Sequence, residues 1–468
     1  MATKKLDLDN IQGNILAGFN KDHQVLLFLE FKDSAAGLEW LSKVRPDVTT
    51  TSAVMAFRAG RRNAPAGKKP QSVWTNVAFT YWGLRTLGRS EKELRPMGTA
   101  FIEGMHRRAP SLGDLNGSDR SNWLPAYRDP LLPHAVMIIG ADTKAALEAR
   151  LTKCRAALGA GVNELTCEVG KQLPNNREHF GFRDGISQPA VDGFDKKPTG
   201  PEGLIAAGEF VLGHPTQDDS WTKGGPRAPN TTPKAPVPPN PRWTADGSFL
   251  VFRRLVQDVG KFNAFLAAEA GSLKISEPRL AAMLVGRYRS GAPLGTVRVT
   301  GTTDLLSYDG DDITPRAAHI RKTNPRDGAP PAEKPKGQLG LPDVQKHRLI
   351  RRAIPFGDTW TTGETRPPRG GRGLLFLAYQ ANIETQFEFI QSRWMNNSDF
   401  PDAPEDNRLG HDAIAGQPDP AIDPRYFRMP AAKGSVGKRV DLGTWVTTSG
   451  GAYLFQPSLK GLETLAAG

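Results

Sequence analysis

Each half of this chain carries the same order of strand-like and helix-like segments, and few folds can satisfy that order twice. In the first half, residues 24–31 (QVLLFLEF) form the unbroken apolar run of a buried strand. Residues 34–44 follow behind a serine cap, with Leu38, Leu41 and Val44 at helical spacing. Residues 53–58 and 73–80 read as strands, 81–105 as helical, 134–140 as a strand, 142–158 as a helix and 163–169 as a strand. With insertions allowed, the order is β-α-β-β-α-β, the split βαβ or ferredoxin-like unit. It recurs in the second half: strand 248–256, a helix over 258–270 capped by Asp258, strands 348–354 and 373–379, a helix over 384–395 and a last strand at 451–455. The expectation is an α+β protein of two ferredoxin-like units, 1–221 and 243–468. A linker at 222–242 joins them, and its seven prolines forbid helix and central strand. A second proline-rich stretch, 324–343, reads as an excursion within the second unit.

Composition narrows the function classes. The 61 Lys and Arg against 49 Asp and Glu leave a net charge of +12, but the excess is scattered in pairs such as Arg61-Arg62 and Arg351-Arg352. No helix-turn-helix, zinc-finger or RNA-recognition signature accompanies it, so no nucleic-acid partner is expected. Two cysteines, Cys154 and Cys167, exclude a disulfide scaffold or a four-thiolate metal site and read as reduced thiols. The first 40 residues show no export signal and no apolar run near the ~20 residues a membrane span requires. A soluble, cytoplasmic protein without a membrane partner is the default expectation. The eight histidines show no HExxH or zinc spacing, and Walker and nucleophile-elbow motifs are lacking.

Two stretches stand out. In residues 178–189 (EHFGFRDGISQP), Gly181 and Gly185 bracket Arg183 and Asp184. Glycines there permit dihedrals and close approaches that hold an acid toward a ligand as a fixed proton carrier; a structural turn with an Asp cap has the same composition. In residues 317–326 (AAHIRKTNPR), small residues precede His319 and cations follow it. A neutral imidazole binding iron, beside arginines that meet carboxylates, would have this composition, and so would a basic surface loop.

Taken together the stretches discriminate. Residues 181–185 match the GxxDG signature of dye-decolourising haem peroxidases, and the wider run resembles that family closely. Residues 317–326 resemble its proximal-histidine segment and 349–357 (LIRRAIPFG) its distal-arginine segment. Residues 10–15 (NIQGNI), 373–380 (GLLFLAYQ) and 410–417 (GHDAIAGQ) complete six matches in order, spanning residue 10 to about 456. The long, insertion-rich form is similar to the subgroup of fungal enzymes and their larger bacterial relatives.

The resemblance implies a dimeric α+β barrel of two ferredoxin-like units holding haem b. His319 would be the proximal iron ligand, with Asp412 accepting its other N–H. Asp184 and Arg351 would line the distal side, the carboxylate shuttling a proton between the two peroxide oxygens and the guanidinium stabilising charge across the O–O bond. Leu374 and Phe376, two apart on a strand, would share the face covering the distal side. Arg321 and Arg326 would be candidates for the haem propionates. Hydrogen peroxide would be the oxidant, acting through a ferryl intermediate on bulky aromatic or dye-like donors. Trp394 matches the tryptophan through which fungal relatives pass electrons, and is expected near the surface. Two departures from the fungal pattern are Phe356, where a tyrosine is common, and Ala353, where a polar residue is common. Two other readings compete: a haem carrier or haem-degrading protein on the same fold, and a polyanion-binding protein without activity. The retained Asp184 and Arg351 argue against the first, since neither is needed merely to hold haem. The lack of an aromatic-interleaved basic block argues against the second.

Overall fold

The structure, a computed structural model, describes residues 5–65, 67–197, 203–217, 238–294, 313–326, 344–364, 370–400, 409–430 and 437–467. Most of the expected linker (222–237 of 222–242) and of the second proline-rich stretch (327–343 of 324–343) lies outside the described residues.

The first half contributes β1 (His23–Phe31), α1 (Ser34–Val44), α2 (Thr51–Asn63), β2 (Val73–Phe79), α3 (Thr99–Arg108), β3 (Ala135–Ala141), α4 (Lys144–Ala156) and β4 (Val162–Lys171). From the second half come β5 (Ser248–Gln257), α5 (Val259–Leu273), α6 (Glu277–Val285), α7 (His319–Thr323), β6 in two pieces (Ile350–Arg351 and Ile354–Phe356) and β7 (Gly373–Gln380). The π-helical α8 (Ile383–Glu388 and Ile390–Met395), β8 (Val446–Gln456) and α9 (Leu459–Ala466) complete it.

The strands close into one antiparallel barrel in the order β5-β8-β2-β3-β1-β4-β6-β7, with β7 pairing back to β5. Numbered within its own half, each unit has strand order 4-1-3-2, so the two units are equivalent in topology as well as in element order. Strand two of each unit meets strand four of the other, and the seams are thin. Phe79 lies opposite Phe455 at one and Gly170 opposite Phe356 at the other. A Cβ on Gly170 would sit 2.4 Å from Ile354 Cγ2, so the second seam closes only because that residue is glycine. Closure removes the open edges that a lone four-stranded unit would expose. The halves also share a core, with Phe28 of β1 and Phe252 of β5 packed at 4.8 Å between ring centroids.

Three local expectations are corrected. Residues 53–58 belong to helix α2, not to a strand. Thr50 caps it by accepting from the Ala53 N–H at 3.2 Å, and Arg61 and Arg62 fall in its last turn, where cations suit the helix dipole. An apolar run of five residues cannot distinguish strand from helix, and β2 already occupies the ladder position between β3 and β8. The helical region 81–105 is broken into Tyr81–Thr86, Glu91–Leu94 and α3. The strand at 348–354 is split into Ile350–Arg351 and Ile354–Phe356, and between the pieces the Arg352 guanidinium donates to the carbonyls of Asn14, Ile15 and Leu16.

Candidate active site

A cavity opens on one side of the barrel between α7, α8, the loop after β4, and strands β5, β6 and β7. Two walls carry its chemistry. On the first, the buried pair Ala317-Ala318 leads into α7, whose first residue is His319. His319 Nδ1 lies 2.8 Å from Asp412 Oδ2. Asp412 Oδ1 accepts the N–H groups of Ile414 at 2.9 Å and Ala415 at 2.7 Å, and its side chain is 0% exposed. Burial alone would raise its pKa, but the imidazole and these N–H donors outweigh burial and hold Asp412 below the usual carboxylate range. For His319 burial would lower the pKa, and the Asp412 charge and hydrogen bond reverse that, leaving it raised. A carboxylate only accepts, so Nδ1 carries the hydrogen, and in the neutral imidazole the lone pair is on Nε2. The 29% of the His319 side chain that remains accessible opens into the cavity.

The loop after β4 builds a second wall. Gly181 and Gly185 adopt φ of 91° and 74°, values that favour glycine. Glu178, half-buried, is its organiser: its carboxylate accepts the N–H groups of Phe180 at 2.9 Å and Phe182 at 2.8 Å, and the Gln257 side chain at 2.5 Å. Burial still wins there and pushes the Glu178 pKa up. His179 Nε2 ties the loop to β6 by donating to the Phe356 carbonyl at 2.8 Å. Asp184 Oδ1 accepts from the Gly185 N–H at 2.6 Å and from Arg351 Nη1 at 3.3 Å. The Asp184 and Arg351 side chains are 32% and 30% exposed. Arg351 Nη2 also donates to the Ser187 carbonyl at 2.8 Å. Gln188 clamps the Arg351 backbone, accepting its N–H and donating to its carbonyl, both at 3.1 Å. Sequence reading assigned no task to Glu178, Gln188 or Gln257; the first two lie inside the quoted run, but nothing there announces which backbone they bind.

The other expected residues divide. Leu374 and Phe376 both line the cavity, as does Ala353. Neither Arg321 nor Arg326 lines it. Both are buried, Arg321 bonding the Thr314 carbonyl and Arg326 Nη2 the Ser187 hydroxyl at 3.0 Å. Arg287 and Arg348, which sequence reading passed over, do line it. His411 turns away from His319 toward Asp423, at 3.1 Å. Trp394 requires a correction: at 2% exposed it is not a surface residue. Phe400 stacks on its ring at 5.2 Å, and His347, which lines the cavity, meets it edge-on at 5.1 Å.

Among the described residues no group of three or more His, Cys, Asp and Glu could hold a bare metal ion. A lone imidazole with its lone pair aimed into a cavity fits a metal whose other ligands come with a cofactor, and the arginines in the lining suit acidic cofactor side chains. Fold and site together define an α+β barrel whose cavity is lined by a carboxylate-oriented imidazole and an acid–arginine pair, a set that suits haem.

The relationships of the chain agree. Residues 10–174 match the DyP dimeric α+β barrel domain and residues 222–407 the C-terminal domain of Dyp-type peroxidases. The chain is 32% identical, over 519 aligned residues, to a dye-decolorizing peroxidase of Mycena epipterygia, with 99% of this chain and 87% of the relative covered. An ancestral D-type dye-decolorizing peroxidase superposes with a TM-score of 0.82 at 31% identity, covering 99% of this chain and 100% of that one. A dye-decolorizing peroxidase in complex with 2,6-dimethoxyphenol gives 0.78 at 26% identity, covering 98% and 100%. The chain belongs to the dye-decolourising peroxidase family, whose members depend on haem.

Proposed function

We propose that this protein is a haem peroxidase that uses hydrogen peroxide to oxidise aromatic donors, with haem b between the two walls. The observation that carries the reading is that one cavity is lined by His319, bonded behind by Asp412, and by the Asp184–Arg351 pair. His319 Nε2 would hold the iron, and Asp412 would keep the imidazole in the correct tautomer and strongly basic. The bound cofactor supplies the two-electron chemistry of peroxide cleavage. Asp184 would take the proton from the near peroxide oxygen and return it to the far one, and its partial exposure leaves it free to do so. Arg351 keeps its proton and stabilises the developing negative charge. Leu374 and Phe376 exclude water from that side. Arg326, held against the cavity-lining Ser187, is assigned to a propionate together with Arg287 and Arg348; Arg321, bonded to Thr314, buttresses α7. Small phenols of the kind bound by the 2,6-dimethoxyphenol relative suit the cavity, and bulkier donors would deliver electrons through Trp394 and its ring neighbours.

The visible spectrum of the purified protein tests the reading. A Soret band that shifts on adding peroxide and returns on adding 2,6-dimethoxyphenol is expected. A colourless protein, or a Soret band indifferent to peroxide, overturns it.

A further inference from the structure

A second, more open groove shares Glu178 and Phe180 with the central cavity, so it lies against the same loop that carries Asp184. Arg177, His179, Asn263, Arg289 and Trp360 contribute to its lining. Its polar groups are unusually short of partners. The Nε of Arg177 is buried without an acceptor, and its guanidinium makes no hydrogen bond or ion pair among the described residues. Arg289 donates Nε to the Phe180 carbonyl at 2.9 Å and lies 5.5 Å from the Phe182 ring centroid, while its Nη groups have no acceptor among the described residues. The Asn263 amide and the Trp360 indole N–H are likewise unpaired there. His179, only 9% exposed, spends Nε2 on the Phe356 carbonyl, and its Nδ1 is buried with no partner.

The sole carboxylate in the lining is Glu178, and its oxygens are taken by two backbone N–H groups of its own loop and by Gln257. Two guanidinium groups are therefore left without an ion-pair partner among the described residues, the charges of Glu178 and Glu277 reaching Arg289 without contact. Burial lowers the Arg289 pKa; Glu178 and Glu277 only partly oppose it and the charge of Arg177 adds to it, so a bound anion would offset the remaining cost. Guanidinium donors beside an indole match a planar molecule with a carboxylate at one end. His179 Nδ1, a buried acceptor without a partner, matches a hydroxyl donor at the other.

We propose that this groove binds an anionic phenol. Its carboxylate pairs with Arg177 and Arg289, its ring lies on Trp360, and its O–H donates to His179 Nδ1. The inference rests on the peroxidase reading for its meaning: it names the class of donor, and the shared Phe180–Glu178 wall sets that donor beside the central cavity.

The test uses the full-length holoprotein with 4-hydroxybenzoate as the probe and its neutral methyl ester as the control. Calorimetric binding without peroxide should favour the anion over the ester by ~10-fold, the scale of a charge-assisted contact. Arg177→Gln touches no existing bond. It should remove that preference and leave ester binding and the Soret band unchanged, whereas Arg177→Lys should recover part of it. In turnover, Arg177→Gln should raise KM for the anion and leave kcat alone. Equal affinity for acid and ester, or anion binding indifferent to Arg177→Gln, overturns the site. Because binding is measured without turnover, anion-selective binding by a protein inert to peroxide supports the site and sinks the peroxidase reading instead.

Discussion

Asp412, sealed behind the cavity-lining His319, and Asp184, which lines the same cavity, have surroundings that assign them opposite tasks. Asp412 is sealed, with every oxygen engaged by the imidazole or a backbone N–H. A carboxylate held this way is a permanent anion, able to orient a ligand and balance its charge but not to trade a proton. Asp184 is a third exposed and shares its Oδ1 between one backbone N–H and a 3.3 Å contact with Arg351. It can give up its bonds and take a proton without breaking a buried network. The two walls teach that satisfaction of the carboxylate, not its identity, separates a positioning acid from a transferring one.

The contrast can be broken most severely at His319. His319→Ala should abolish haem retention, read from the ratio of Soret to protein absorbance, while Asp184→Asn should keep it. Normal haem content in the His319 variant would remove the ligand assignment. Next in size, Asp412→Asn should keep the fold but weaken haem affinity or activity by roughly 10–100-fold, the usual effect of losing the group that orients a ligand. An unaltered spectrum and affinity would mean that the sealed wall is packing alone. Trp394→Phe leaves both walls intact and should lower turnover of a bulky dye several-fold at an unchanged rate of peroxide activation. Equal dye turnover would point to another electron route.

A separate effect belongs to stability on the sealed side. Burial brings the His411 pKa down to about 4, with Asp423 only partly opposing it. An unfolded histidine titrates near ~6.5. Between these values the unfolded chain binds the extra proton, so stability falls as pH drops from ~6.5 toward 4, by up to about 3 kcal/mol. Urea midpoints over that range should show the decline in the wild type and a flatter slope in His411→Asn. Parallel slopes would show that other groups set the acid limit.

Much of the architecture could be read from the order of apolar runs, because buried strands such as 24–31 and 373–379 have no other use for consecutive large apolar side chains. The seams could not, since each rests on one pair of residues from distant segments, Phe79 with Phe455 and Gly170 with Phe356. Within the site, Asp184, His319, Arg351 and Asp412 stood in motifs that name them. Glu178 and Gln188 did not, because their work is to bind backbone groups whose positions only the folded loop defines. Trp394 was misplaced for the same kind of reason. Its cover comes from His347 and Phe400, and no local pattern shows that these rings close over it.

The reaction of peroxide with two distal variants tests the account most directly. Stopped-flow mixing of Asp184→Asn and Arg351→Leu, each with its full haem content, should show at least one of them slowed by more than ~10-fold, within the roughly 10²–10⁴-fold span of acid–base effects. Wild-type rates in both would contradict the assignment of the open wall to peroxide activation.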